Sequence, residues 1–208
     1  MYFDIGIIDC AKFYQVEFKI ELPTTLEIII LVFIFSAEIL GEIKSFYIVF
    51  PMWDTILHTL NGFLAAAIGF SLVDLLNQSE RMEFKLSPLF MAIVAFCFSM
   101  TIGVLWEFYE LFMDQFMGLD MQKDTIIHSF HSVLLDPTKS NIPILVDNIK
   151  DVVVNGKSLG LGGYIDIGLL DTMEDLLVNF IGAFVFSYLW IFLCKKQRKT
   201  PFCDKIYS

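Results

Sequence analysis

The sequence predicts an all-α integral membrane protein: a bundle of about four transmembrane helices with one long extracytoplasmic loop that contains a possible β-hairpin. Three observations predict it. The 208 residues are 56% hydrophobic and only 18% charged, with a mean hydropathy of +0.67, too apolar for a domain solvated by water alone. Four apolar runs, at 22–40, 55–76, 86–106 and 176–194, are each long enough to cross a hydrocarbon core of about 30 Å at roughly 1.5 Å per residue. None of the four shows the in-out alternation of a barrel strand, so each must satisfy its backbone internally as a helix.

Taken in order, residues 1–21 form an N-terminal segment on the cytoplasmic side, 22–194 a transmembrane domain that includes an outer loop at 118–170, and 195–208 a basic cytoplasmic tail. Asp4 and Asp9 precede any positive charge, so the start does not read as a cleavable signal peptide. The stretch Val16 to Leu22 alternates apolar and charged residues, which favours an extended segment. The first apolar run carries Glu27 and Glu38 and the second His58 and Asp74, whereas the third and fourth carry no charge. In the outer loop, Asn155-Gly156 between apolar and β-prone neighbours signals a tight hairpin.

Four spans place both termini and the second connection on one side, which holds nine of the fourteen basic residues. By the positive-inside rule that side is the cytoplasm, and the chain is a multi-pass protein of the cell membrane. Cys10, Cys97, Cys194 and Cys203 form no CxxC pair and signal neither a disulfide framework nor a thiolate metal site. A net charge of −10 argues against nucleic acid or anionic lipid as a main partner, since both need a basic surface, and a cationic or metal partner fits better.

On this topology the ionisable residues gather at one level. Glu38 and Glu42 end the first span, Asp54 and His58 open the second, Glu107, Glu110 and Asp114 close the third, and Asp171, Glu174 and Asp175 open the fourth, with Asn179 one turn deeper. Residues three, four, seven or eight apart share a helix face, so each set is one stripe. The stripes continue into Asn61, Gly62, Ala65 and Ala66 on the second span and into Gly182 and Ala183 on the fourth. Small residues let membrane helices approach closely, which turns the polar stripes toward one another. Charged residues at helix ends also occur simply as headgroup-level anchors. That account leaves unexplained His58, Asn179 and Glu107, which lie where burial demands partners.

Carboxylates with one imidazole at helical spacing suit a divalent cation, with His58, Glu107, Asp171 and Asp175 as candidate ligands. In catalysis the same four residues are the candidate acid, base or cation ligands, and Glu110, Asn179, Asp54 and Asp114 are candidate substrate-binding groups. His128 and His131 in the outer loop have chelating spacing but lack a definite third ligand, and exposed loop imidazoles are the simpler reading. Trp53, Trp106, Tyr109 and Trp190 fall near span ends, as interfacial anchors do.

The segments from Trp53 to Phe63, Leu105 to Thr125 and Tyr164 to Ala183 resemble the YjdF-like family of uncharacterised bacterial multi-pass membrane proteins, and the likeness covers most of the chain from Pro23 onward. A looser likeness is to the VanZ family, in which an Asp-x-x-x-His, a Glu ending a later helix and an Asp-x-x-x-Asn before Gly recur. Here these would be Asp54 and His58, Glu107 or Glu110, and Asp175 and Asn179 with Gly182. The chain departs from that pattern in its Asp-Thr pair and its long outer loop. Neither resemblance implies a reaction.

The functional expectation is a carboxylate and His site at the extracytoplasmic membrane face, binding or processing the headgroup of a lipid or a lipid-linked envelope precursor. Membrane lipids are the expected partners, and an oligomer is compatible with the sequence. Two other classes fit the same stripes: a small cation- or proton-coupled transporter, and a structural or partner-binding membrane subunit whose polar groups join helices.

Overall fold

Runs as apolar as these fold into helices because each backbone N–H and C=O finds its partner within the segment. The computed structural model describes residues 24–78 and 85–196. It divides into two units, Met1–Leu57 and His58–Ser208. The extended segment expected at 16–22 and nearly all of the basic tail lie outside the described residues.

In the first unit, helix α1 (Thr24–Ile34) passes directly into a π-helical stretch, Phe35–Ile43. The expected first span is therefore helical from Thr24 but is not one regular α-helix. Ser36 sits at the change of register and donates its hydroxyl to the Val32 carbonyl at 2.8 Å, a back-bond that competes with the regular ladder. Ser45, at φ 58°, ends the run before the short helix α2 (Phe46–Val49). The Trp53 indole then donates to the Ser36 carbonyl at 3.3 Å and meets the Phe46 ring edge-on.

Helices α3 (Trp53–Gln78), α4 (Pro88–Met117) and α5 (Leu169–Lys196) follow. These three are long and apolar enough to cross a membrane. Two of them exceed the runs that hydropathy marks: α4 continues beyond Trp106 to Met117, and α5 starts at Leu169 rather than Leu176. Hydropathy registers only the oily part of a helix, whereas acidic residues at three- and four-residue spacing continue it without a break. Glu107, Glu110, Asp171 and Asp175 thus lie within helices. Ser87 caps α4 by accepting from the Phe90 amide at 3.2 Å, with Pro88 at the first turn.

In the second unit α3, α4 and α5 pack through small residues. Ala66, Ala95 and Ala183 are fully enclosed. The α3 and α5 backbones meet at two reciprocal glycines: a Cβ on Gly62 would collide with the Asn179 carbonyl oxygen, and one on Gly182 with that of Thr59. Further along the same seam, Phe63 meets Phe186 edge-on and Phe70 packs on Trp190 with ring centres 4.3 Å apart.

Between α4 and α5 the chain forms three small antiparallel pairings: β1 (Ile126–Ile127) with β6 (Tyr164–Ile165), β2 (Phe130–Ser132) with β3 (Ile144–Val146), and β4 (Val153–Val154) with β5 (Lys157–Ser158). The hairpin expected at Asn155-Gly156 is the β4–β5 turn, with both residues at positive φ, 51° and 77°. That geometry matches the right-handed twist of the flanking strands.

Asp136 organises the β2–β3 connection. Its carboxylate accepts from the Thr138 hydroxyl at 2.6 Å and from the amides of Thr138, Ser140 and Ile142 at 2.9, 2.8 and 3.1 Å. These bonds, the Thr138 hydroxyl foremost, hold the Asp136 pKa down to about 2. A carboxylate with a depressed folded pKa stabilises its loop above the unfolded value near 3.9, and that contribution is lost as pH falls toward the folded one. Amide exchange at Ser140 and Ile142, corrected for intrinsic rates, is therefore expected to stay constant down to about pH 4 and to accelerate between about pH 4 and 2. Asp136→Ala should show the accelerated exchange at neutral pH.

A candidate polar centre among the membrane helices

Three helices each supply part of one cluster. His58 comes from α3, Glu107 and Glu110 from α4, and Asp175 and Asn179 from α5, and all five are buried. Three-residue spacing puts Glu107 and Glu110 on one face of α4, and four-residue spacing does the same for Asp175 and Asn179 on α5. The His58 ring lies between helices: Nδ1 is 3.9 Å from Glu107 Oε1, and Nε2 is 3.6 Å from Asp175 Oδ2. Glu107, Glu110 and Asp175 each offer an oxygen within 4.8 Å of the others. Glu110 is oriented by the Trp106 indole, which donates to its Oε1 at 2.8 Å.

Charge sets the chemistry. Two ionised carboxylates no more than 4.8 Å apart repel by at least about 3 kcal/mol at an effective dielectric of ~20. A cation or a shared proton relieves that repulsion, and the donor set of carboxylate oxygens with one imidazole nearby suits a hard or borderline divalent ion.

Beneath the acids, Asn179 joins all three helices. Its Oδ1 accepts from the Asn61 amide at 3.2 Å, its Nδ2 points to the Ser99 carbonyl at 3.5 Å, and the Ser99 hydroxyl donates to the Gly62 carbonyl at 2.7 Å. Gly103 leaves room for this amide, since a Cβ there would lie 2.7 Å from Asn179 Nδ2. Sequence reasoning missed Ser99, Gly103 and the role of Trp106. The signal was available, because Ser99, Gly103, Glu107 and Glu110 follow one another at four, four and three residues on one helix face.

Among the remaining expected site residues, two carboxylates bind the outer loop. Asp114 accepts from the amides of Met121 and Gln122 at 2.6 and 2.9 Å, and Asp171 from the Lys123 amide at 2.7 Å. Both carboxylates thus tie the start of the outer loop to the ends of α4 and α5. Asp54 lies in the first turn of α3, in the first unit. His128 follows β1 and His131 lies within β2, so the two share no helix, and His128 Nδ1 lies 3.2 Å from the Ile149 carbonyl. Partial burial, then the charges of Asp120, Asp166 and Asp114, hold the Asp124 carboxyl above its usual range. Asp171→Ala is expected to speed amide exchange at Lys123 and its neighbours several-fold, as exchange mass spectrometry would show.

Long apolar helices whose buried acids and imidazole, among the described residues, converge on one another define an α-helical membrane protein with an internal polar centre. The chain belongs to the family described as Predicted membrane protein (DUF2238), whose family model matches residues 6–196. No curated protein and no solved structure matches the chain.

Proposed function

We propose that this protein holds a divalent cation at Glu107, Glu110 and Asp175, with His58 alongside, and uses it to engage the phosphate-bearing headgroup of a lipid or lipid-linked envelope precursor. In this reading the α1 and π-helical stretch forms a fourth span, both termini are cytoplasmic, and the loop between α4 and α5 lies on the extracytoplasmic side. The observation that carries the reading is the convergence of three buried carboxylates, each within 4.8 Å of the others, beside an imidazole. Such a set is costly among apolar helices without a counter-charge, and a bound cation supplies both that charge and an anchor for phosphate oxygen. The likeness to the YjdF-like and VanZ families supports the same residues, His58, Glu107 or Glu110, Asp175 and Asn179.

The test is elemental analysis of the full chain purified in mild detergent, with and without chelator, beside Glu107→Gln and Asp175→Asn. One divalent ion per chain in the untreated protein, lost on chelation and in both variants, is the expected result. Its absence from the untreated protein overturns the proposal.

A further inference from the structure

A shallow groove runs between α4 and α5 with a wholly apolar lining, formed in the main by Ala92, Phe96, Phe180, Phe184, Tyr188 and Ile191. Its floor is the close approach of the two helices, where the Ser187 hydroxyl donates to the Ala92 carbonyl at 3.3 Å. Its wall is a ladder of rings. Phe96 meets Phe180 edge-on at 5.2 Å, and Phe180, Phe184 and Tyr188 stack in turn at 6.2 and 6.3 Å.

Two relations tie this groove to the polar centre. It begins at Phe180, the residue after the buried Asn179, and so lies about 8 Å along α5 from Asp175 at ~1.5 Å per residue. From Phe180 to Ile191 it extends for about 16 Å on the same rise, close to half of a hydrocarbon core of ~30 Å. A headgroup at the carboxylates would therefore have a chain-length apolar track leading away from it along the same pair of helices.

We infer that this groove seats one hydrocarbon chain of the phosphate-headed lipid whose headgroup is held at the polar centre. The inference rests on the function proposed above and specifies the substrate class as a lipid bound by head and chain together. Flat rings suit a flexible chain, since they offer contact area with little rotamer freedom to lose. The groove also exposes no polar surface along its length, and the Ser187 hydroxyl in its floor is already bonded to the Ala92 carbonyl.

The experiment uses the full chain in nanodiscs of phosphatidylglycerol in which a small fraction carries a photoreactive diazirine on one acyl chain. Label is mapped by peptide mass spectrometry. Phe180, Phe184 and Tyr188 are expected to take about tenfold more label than Leu105 and Leu189, which are exposed on other faces of the same two helices. Ile93→Trp fills the groove from its half-exposed rim and should reduce groove labelling about tenfold while leaving Leu105 and Leu189 as before. Equal labelling of groove and control positions, the pattern of bulk lipid, overturns the inference. So does protection of the groove by a second copy of the chain, seen as cross-linked dimer. Metal content measured on the same sample separates the two proposals, because a metal-loaded protein with an unlabelled groove refutes the chain site alone.

Discussion

Leucine in place of Gly182 is expected to remove most of the folded protein. The new Cβ falls on the Thr59 carbonyl oxygen and 2.9 Å from the Phe63 amide nitrogen, both backbone atoms of α3. Neither can turn aside as a side chain does, so the helices must separate. Overpacking alone costs about 1–3 kcal/mol and sometimes more. Separation would also strand the Asn179 amide and the Ser99 hydroxyl, each left unsatisfied at roughly 1–3 kcal/mol. Together these losses are a large part of a typical stability of about 5–15 kcal/mol. Size-exclusion chromatography in detergent with thermal melting checks this, and a Gly182→Leu protein that elutes and melts like the parent contradicts it. Gly69→Ala is the milder comparison: its Cβ would lie 2.7 Å from Phe98 Cδ1 and 2.9 Å from Phe98 Cβ, so the ring can turn but the helices must also shift slightly. A modest drop in melting temperature is expected there.

Neutralising Asp175 is expected to abolish the effect of a chelator on stability. Under the proposed function, a cation held by the parent at 100 times its dissociation constant would stabilise by about 2.7 kcal/mol, so chelation should lower the melting temperature by several degrees. Asp175→Asn removes one of three clustered carboxylates and should weaken the ion by more than the ~10–100-fold that accompanies loss of a group merely supporting a ligand. The variant should therefore melt at the same temperature with and without chelator. Loss of one charge also relieves repulsion within the cluster, so the chelated variant is expected to melt no lower than the chelated parent. A parent indifferent to chelator, or a variant as responsive as the parent, contradicts this.

Much of the polar centre was legible in the sequence because helical spacing is a strong constraint. His58, Glu107, Asp175 and Asn179 are each predictable from position along an apolar run, and the glycines beside them mark the face where helices meet. Spacing says nothing about where a carboxylate turns at a helix end. Asp114 and Asp171 lie on the same stripes as the buried acids, yet they accept backbone amides of the loop, whose path depends on contacts distant in sequence. The π-helical stretch after Ile34 was invisible for a related reason. Hydropathy reports how apolar a segment is and not how its hydrogen bonds are registered. The Asn155-Gly156 turn was readable because its chemistry is local.

The division of the centre among α3, α4 and α5 also constrains how the protein can be made. His58, Glu107 and Glu110 emerge from the ribosome well before Asp175 and Asn179, with residues 118–168 in between. At about 5–20 residues per second, those roughly 50 residues take about 3 to 10 s to synthesise. Over that interval the nascent chain carries half a polar centre and an uncovered Gly62 face, with the helix that closes both still to come. A chain truncated before Leu169 would therefore lack Asp175, Asn179 and the Gly182 face, and would leave Glu107, Glu110 and the Gly62 face uncovered.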